Sequence, residues 1–127
     1  MGSYLPFLVI SLGGILGANT RYLVSVYVAE RLGTAFPYGT LLINVSGSLA
    51  IGFFLTLVTE RFTVDPLWRL FFATGFLGAY TTFSSYTFEA AQLARDGDFG
   101  LAFVYLFGSI LAGMIGVFAG IAAAEQL

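Results

Sequence analysis

The stretch GFLGAYTTFSSY, Gly75 to Tyr86, decides how this chain is read. It lies inside an apolar run from about Leu67 to Leu93. Gly75 and Gly78 tolerate non-helical backbone. The hydroxyls of Thr81, Thr82, Ser84 and Ser85 are at hand for the backbone groups that a lost helical turn releases. The plainer alternative is a straight helix whose hydroxyls bond back to their own turn. The run of two glycines and four hydroxyls predicts instead a helix broken near Gly78 to Thr81. Irregular backbone at membrane depth is tolerable only where protein covers it or it lines a cavity. A break also exposes carbonyl oxygens, which are ligands for a hard cation such as Na⁺.

Composition places the run in a membrane. The chain has 127 residues, 58% hydrophobic and 9% charged, with mean hydropathy +0.91. A soluble domain carries roughly 25% charged residues. A helix crossing the hydrocarbon needs roughly 20 residues, so about four spans fit in one domain of residues 1–127. They run from about Tyr4 to Val28, Tyr38 to Thr59, Leu67 to Leu93, and Phe99 to Ala124. No positive charge precedes the first run, so a mature span is expected there and not a cleaved signal. The chain contains no His, Cys or Lys. That excludes thiol and imidazole metal sites, Cys or His nucleophiles and Schiff-base chemistry, and argues against an enzyme. With net charge −2 and no basic run, nucleic acid is not a partner.

Two polar stripes cross these spans. Thr40, Asn44 and Ser48 recur every four residues in the second span, with Gly47 beside them. Tyr105 and Ser109 do so in the fourth, with Gly113 next in line. Asn44 has two readings: a hydrogen bond to a neighbouring helix, or an amide donor facing an anion. Phe83 and Tyr86, three apart, are a packing pair or a pair of rings whose positive edges meet an anion. Small residues form ridges at Gly13 and Gly17, and at Gly108, Ala112, Gly116 and Gly120, which let helices approach closely in lipid. The flanking arginines balance: Arg61 and Arg69 on the terminal side, Arg31 and Arg95 on the other. Orientation is then unbiased, and two copies inserted in opposite senses would form an antiparallel, dual-topology homodimer.

Three segments together resemble one family: GGILGANTRY (Gly13 to Tyr22), GTLLINVSGS (Gly39 to Ser48) and GFLGAYTTFSSYTFE (Gly75 to Glu89). They resemble the Fluc, or CrcB, fluoride channels, and length, span number and motif order agree. The resemblance implies an all-α protein of the cell (inner) membrane, with four transmembrane helices, the third broken. It implies an antiparallel homodimer with two fluoride pores and passive export of fluoride from the cytoplasm. Asn44 would line a pore, Phe83 and Tyr86 would touch fluoride edge-on, and Ser84 and Ser85 lie in the same segment. Tyr86 departs from the family's Phe. Thr40, Tyr105 and Ser109 match a polar track, and Gly113 stands where a further serine occurs. Arg21 matches a vestibule arginine. Backbone carbonyls of Gly78 and Thr81 from both subunits would hold a structural Na⁺, and Gly78→Ala would weaken that site if Gly78 adopts a positive φ. A proton-coupled drug exporter is the first rival. It needs an intramembrane carboxylate, and Glu89 is the one acid well inside a span. A non-transporting membrane assembly protein is the second. It would need the small-residue ridges but neither Asn44 nor the break.

Overall fold

Pro6 sits in the first turn of helix α1, Leu5–Leu32, where its missing N–H has no helical partner to lose. The chain is known from a computed structural model that describes residues 3–127. Met1 and Gly2, the first residues of the expected 1–127 domain, lie outside the described residues. Gly33 ends α1 with φ 77° while its N–H donates to Ala29 O at 2.9 Å. Helix α2, Tyr38–Arg61, follows Pro37, and its last turn, Leu57–Arg61, widens to π-helix. Residues 66–80 form α3. Asp65 caps it by accepting the Leu67 N–H at 2.8 Å. Nine of its residues, Arg69–Leu77, are π-helical. Thr81 and Thr82 are extended, at φ −79°, ψ 157° and φ −148°, ψ 122°. Helix α4 is Phe83–Arg95 and α5 is Phe99–Glu125, joined through Gly97 at φ 88°.

The described residues are helical apart from these connections. Among them α1, α2 and α5 are long and apolar enough to cross a membrane. Neither α3 nor α4 is so alone. Gly78 itself is helical, at φ −60° and ψ −35°. The non-helical residues are therefore Thr81 and Thr82, and the positive φ considered for Gly78 is absent. A Cβ on Gly78 would meet only Ala73 O, at 3.7 Å, an ordinary contact.

The interior is built from small residues. Those buried in α1 include Gly13 and Gly17, and in α5 Gly116, Gly120 and Ala124. Large apolar side chains such as Leu16, Phe107 and Phe118 point outward. Lipid tails are as apolar as leucine, so burying leucine gains little in a bilayer, and close backbone packing supplies the attraction instead. A Cβ on Gly13 or Gly17 would overlap the carbonyls of Phe71 or Phe76 in α3. A Cβ on Gly120 or Gly52 would overlap Leu49 O or Val117 O across the α2–α5 contact. That contact climbs from Val45 beside Gly116 to Leu49 beside Gly120, so α2 and α5 run parallel. Gly108, the first member of the expected ridge, has open space around it.

Overpacking an interior costs roughly 1–3 kcal/mol even where side chains can adjust, and a backbone carbonyl adjusts less. Gly17→Leu and Gly120→Leu should therefore abolish the monodisperse peak on size exclusion after detergent extraction. Gly100→Leu, with nothing within 4 Å of its Cβ position, should keep it.

Candidate functional site

Asn44 makes two hydrogen bonds to the backbone of one residue, Thr82. Its Nδ2 donates to Thr82 O at 3.0 Å, and its Oδ1 accepts the Thr82 N–H at 2.9 Å. A side-chain amide thus pairs with the extended residue as a neighbouring strand would. One Nδ2 hydrogen is left over, since a carboxamide has two. Both readings of Asn44 meet here: it ties α2 to the interruption, and it keeps a spare donor.

The Thr82 side chain starts α4. Its Oγ1 accepts the Ser85 N–H at 3.2 Å and lies 3.2 Å from Ser85 Oγ and 3.5 Å from Ser84 Oγ. This is an N-cap, and it gives the two serines a local role. In a continuous α-helix the Thr82 amide would bond Gly78 O, and the Ser85 amide would bond Thr81 O. Side chains have taken both amides. The carbonyls so released belong to Gly78 and Thr81. The Thr81 hydroxyl folds back onto Leu77 O at 2.9 Å.

A groove of about 450 Å³ runs between α2, α3 and α5 beside this interruption. Asn44, Ser48, Thr82, Phe83, Tyr86 and Ser109 line it, and Gly78, Thr81 and Gly113 border it. The Phe83 ring is 76% exposed. The Tyr86 ring is buried 5.9 Å from it, centroid to centroid, with its hydroxyl donating to Leu106 O. The Ser109 Oγ is buried and has no hydrogen-bond partner.

Thr40 and Tyr105 lie beyond the groove lining, on the same stripes. Both hydroxyls donate to Glu89 at 2.7 Å, Thr40 to one carboxylate oxygen and Tyr105 to the other. Tyr105 is 1% exposed, held edge-on by Phe36 and Tyr86 at ring separations of 5.4 and 5.2 Å. Glu89 is thus part of the polar track, a role that the residue-by-residue reading of the stripes missed. A signal was present: it is the one acid inside a span, three residues beyond Tyr86. Arg21 lies apart on α1, outside the groove lining and half-exposed. Its neighbours Asn19 and Thr20 bond back to Ile15 O and Leu16 O, at 2.6 and 2.7 Å.

Residues 8–121 match the family described as CrcB-like protein, Camphor Resistance (CrcB). The chain belongs to the CrcB family. It is 46% identical over 121 residues to the fluoride-specific ion channel FluC of Sulfurihydrogenibium sp., covering 95% of this chain and 98% of that one. It is 49% identical over 121 residues to FluC of Koribacter versatilis, covering 95% and 93%. FluC of Acidobacterium capsulatum is 43% identical over 123 residues, covering 97% and 98%. The CrcB match spans every element that builds the groove, from α1 through most of α5.

Proposed function

We propose that this chain is a fluoride-selective channel of the cell (inner) membrane, through which fluoride leaves the cytoplasm passively. The observation that carries the reading is the alignment of donors across one groove. Asn44 holds a spare amide hydrogen, Ser109 a buried hydroxyl without a partner, and Phe83 and Tyr86 present rings beside them. The relatives named as fluoride-specific ion channels give the ion its identity.

The chemistry follows from fluoride's strong hydration. An apolar passage would leave the dehydration cost unmet. Neutral donors replace the water without holding the ion as a full positive charge would, and a conducting site must also release it. Ring edges add a weak positive field. Glu89 sets a second limit. Its carboxylate already accepts from Thr40 and Tyr105, so an arriving anion competes with it for those hydroxyls. The competition keeps binding at that station weak and exit fast. Ser84 and Ser85 act through the Thr82 cap, shaping the segment that carries Phe83. Arg21 would supply positive potential at a vestibule.

The working unit in this reading is an antiparallel, dual-topology homodimer with two pores. Residues 66–80 and α4 together form its broken third transmembrane helix. The balanced arginines support both orientations, and the exposed Phe83 ring beside the groove supports a partner surface there. The carbonyls released at Gly78 and Thr81 suit a monovalent cation. Their oxygens are neutral, and among the described residues no three acidic side chains cluster as a divalent site would ask. In two copies these carbonyls would hold a structural Na⁺ between the subunits. When bound, the ion would satisfy backbone oxygens that are costly at membrane depth.

Reconstituted in liposomes, the parent should release fluoride and not chloride. Phe83→Ile should lower fluoride release at least about tenfold, because an aliphatic side chain has no positive edge, and Tyr86→Phe should retain it. Equal release of both anions, or a Phe83→Ile dimer that conducts like the parent, would refute the reading.

Assembly is tested separately. C-terminal tags in cells should be accessible from both faces of the membrane, and replacing Na⁺ by N-methylglucamine during purification should shift the protein from dimer to monomer. A single orientation, or a dimer indifferent to Na⁺, would contradict this arrangement.

A further inference from the structure

The two polar stripes face each other in register. Thr40 and Tyr105 share Glu89. Asn44 and Ser109 line the groove one turn further along. Ser48 and Gly113 come next, and a Cβ built on Gly113 would lie 3.5 Å from Ser48 Oγ. Helices α2 and α5 run parallel, so each step advances both stripes by one turn. The first two rungs carry a polar side chain on each helix. The third carries one on α2 alone.

The rungs differ in what their donors already hold. At the first, both hydroxyls are committed to a carboxylate. At the second, Asn44 has given one amide hydrogen to Thr82 O, and Ser109 has no partner. At the third, a Cβ on Gly113 would meet no atom but Ser48 Oγ within 4 Å outside the backbone of its own helix. A groove that simply ended in packing would fill this space. Instead a hydroxyl borders it, one turn beyond an unpartnered one.

We propose that Ser48 is a further ion-binding residue of the pathway, its hydroxyl joining that of Ser109 around a fluoride ion in the space beside Gly113. The proposal rests on the channel reading above. Serine hydroxyls rotate freely, so both are able to turn a hydrogen towards the same anion. Gly113 has a definite part: it contributes no donor of its own to the rung. The third station therefore depends on α2, and removing one hydroxyl there removes the station's only donor on that rung.

The test compares fluoride release from liposomes for the parent, S48A, S48A/G113S and S48A/G113A. All four are first checked as dimers by size exclusion. S48A should slow fluoride release roughly tenfold, the size expected for one lost hydrogen bond to a charged group. S48A/G113S puts a hydroxyl back from the facing helix and should return to within about twofold of the parent, since one donor is again present. S48A/G113A adds the same carbon without the oxygen and should stay slow. The Gly113 variants keep the test open even if S48A packs poorly, because the two double variants differ by one oxygen atom. S48A at the parent's rate, or equal rates for the two double variants, would overturn the proposal. A parent that releases no fluoride would instead refute the channel reading, so the two failures are distinct.

Discussion

The pairing of Asn44 with the Thr82 backbone is the constraint on which the rest of this structure depends. Two extended residues at membrane depth are tolerable only where protein or a cavity satisfies their polar groups, and here the protein does so at Thr82. One carboxamide supplies a donor and an acceptor to the same residue. Without it, Thr82 would leave an N–H and a C=O bare, at roughly 1–3 kcal/mol for each unsatisfied group. With it, three consequences follow together. The carbonyls of Gly78 and Thr81 lose their helical amides, α4 starts afresh from a Thr82 cap, and Phe83 emerges beside the groove.

Close glycine packing makes that pairing reachable. Asn44 spans from α2 to the interruption only because helices approach to backbone contact. Gly47, three residues on, faces the Thr81 methyl so closely that a Cβ there would overlap it. Gly13 and Gly17 seat α3 against α1 in the same way. The interior therefore carries fixed dipoles and hydroxyls between thin walls. It suits a small, strongly hydrated anion better than an apolar solute, which is the physical link between fold and proposed function.

Much of this was legible in the sequence, because membrane depth makes every polar residue informative. The three long helices follow from the apolar runs at Tyr4 to Val28, Tyr38 to Thr59 and Phe99 to Ala124. The Thr40–Asn44–Ser48 stripe follows from spacing alone. The interruption was expected at Gly78 to Thr81, whereas the extended residues are Thr81 and Thr82. Glycine permits a break without locating one. What locates it is Asn44, whose reach across to α3 no one-dimensional pattern contains. Glu89 was hidden for a related reason. Its partners Thr40 and Tyr105 lie on two other helices, far apart in the chain. Ser84 and Ser85 are marked by the family segment they share with Phe83, and their bonds to the Thr82 side chain are visible only in the fold.

The direct measurement of this account is amide hydrogen exchange at Thr82, followed by NMR on ¹⁵N-labelled protein in nanodiscs. Thr82 lines the groove, and its amide hydrogen is held by Asn44 Oδ1. The account predicts a Thr82 N–H at least about a hundredfold slower in the parent than in Asn44→Ala, as expected when an amide hydrogen bond inside the protein is lost. A Thr82 amide that exchanges equally fast in both proteins would contradict it.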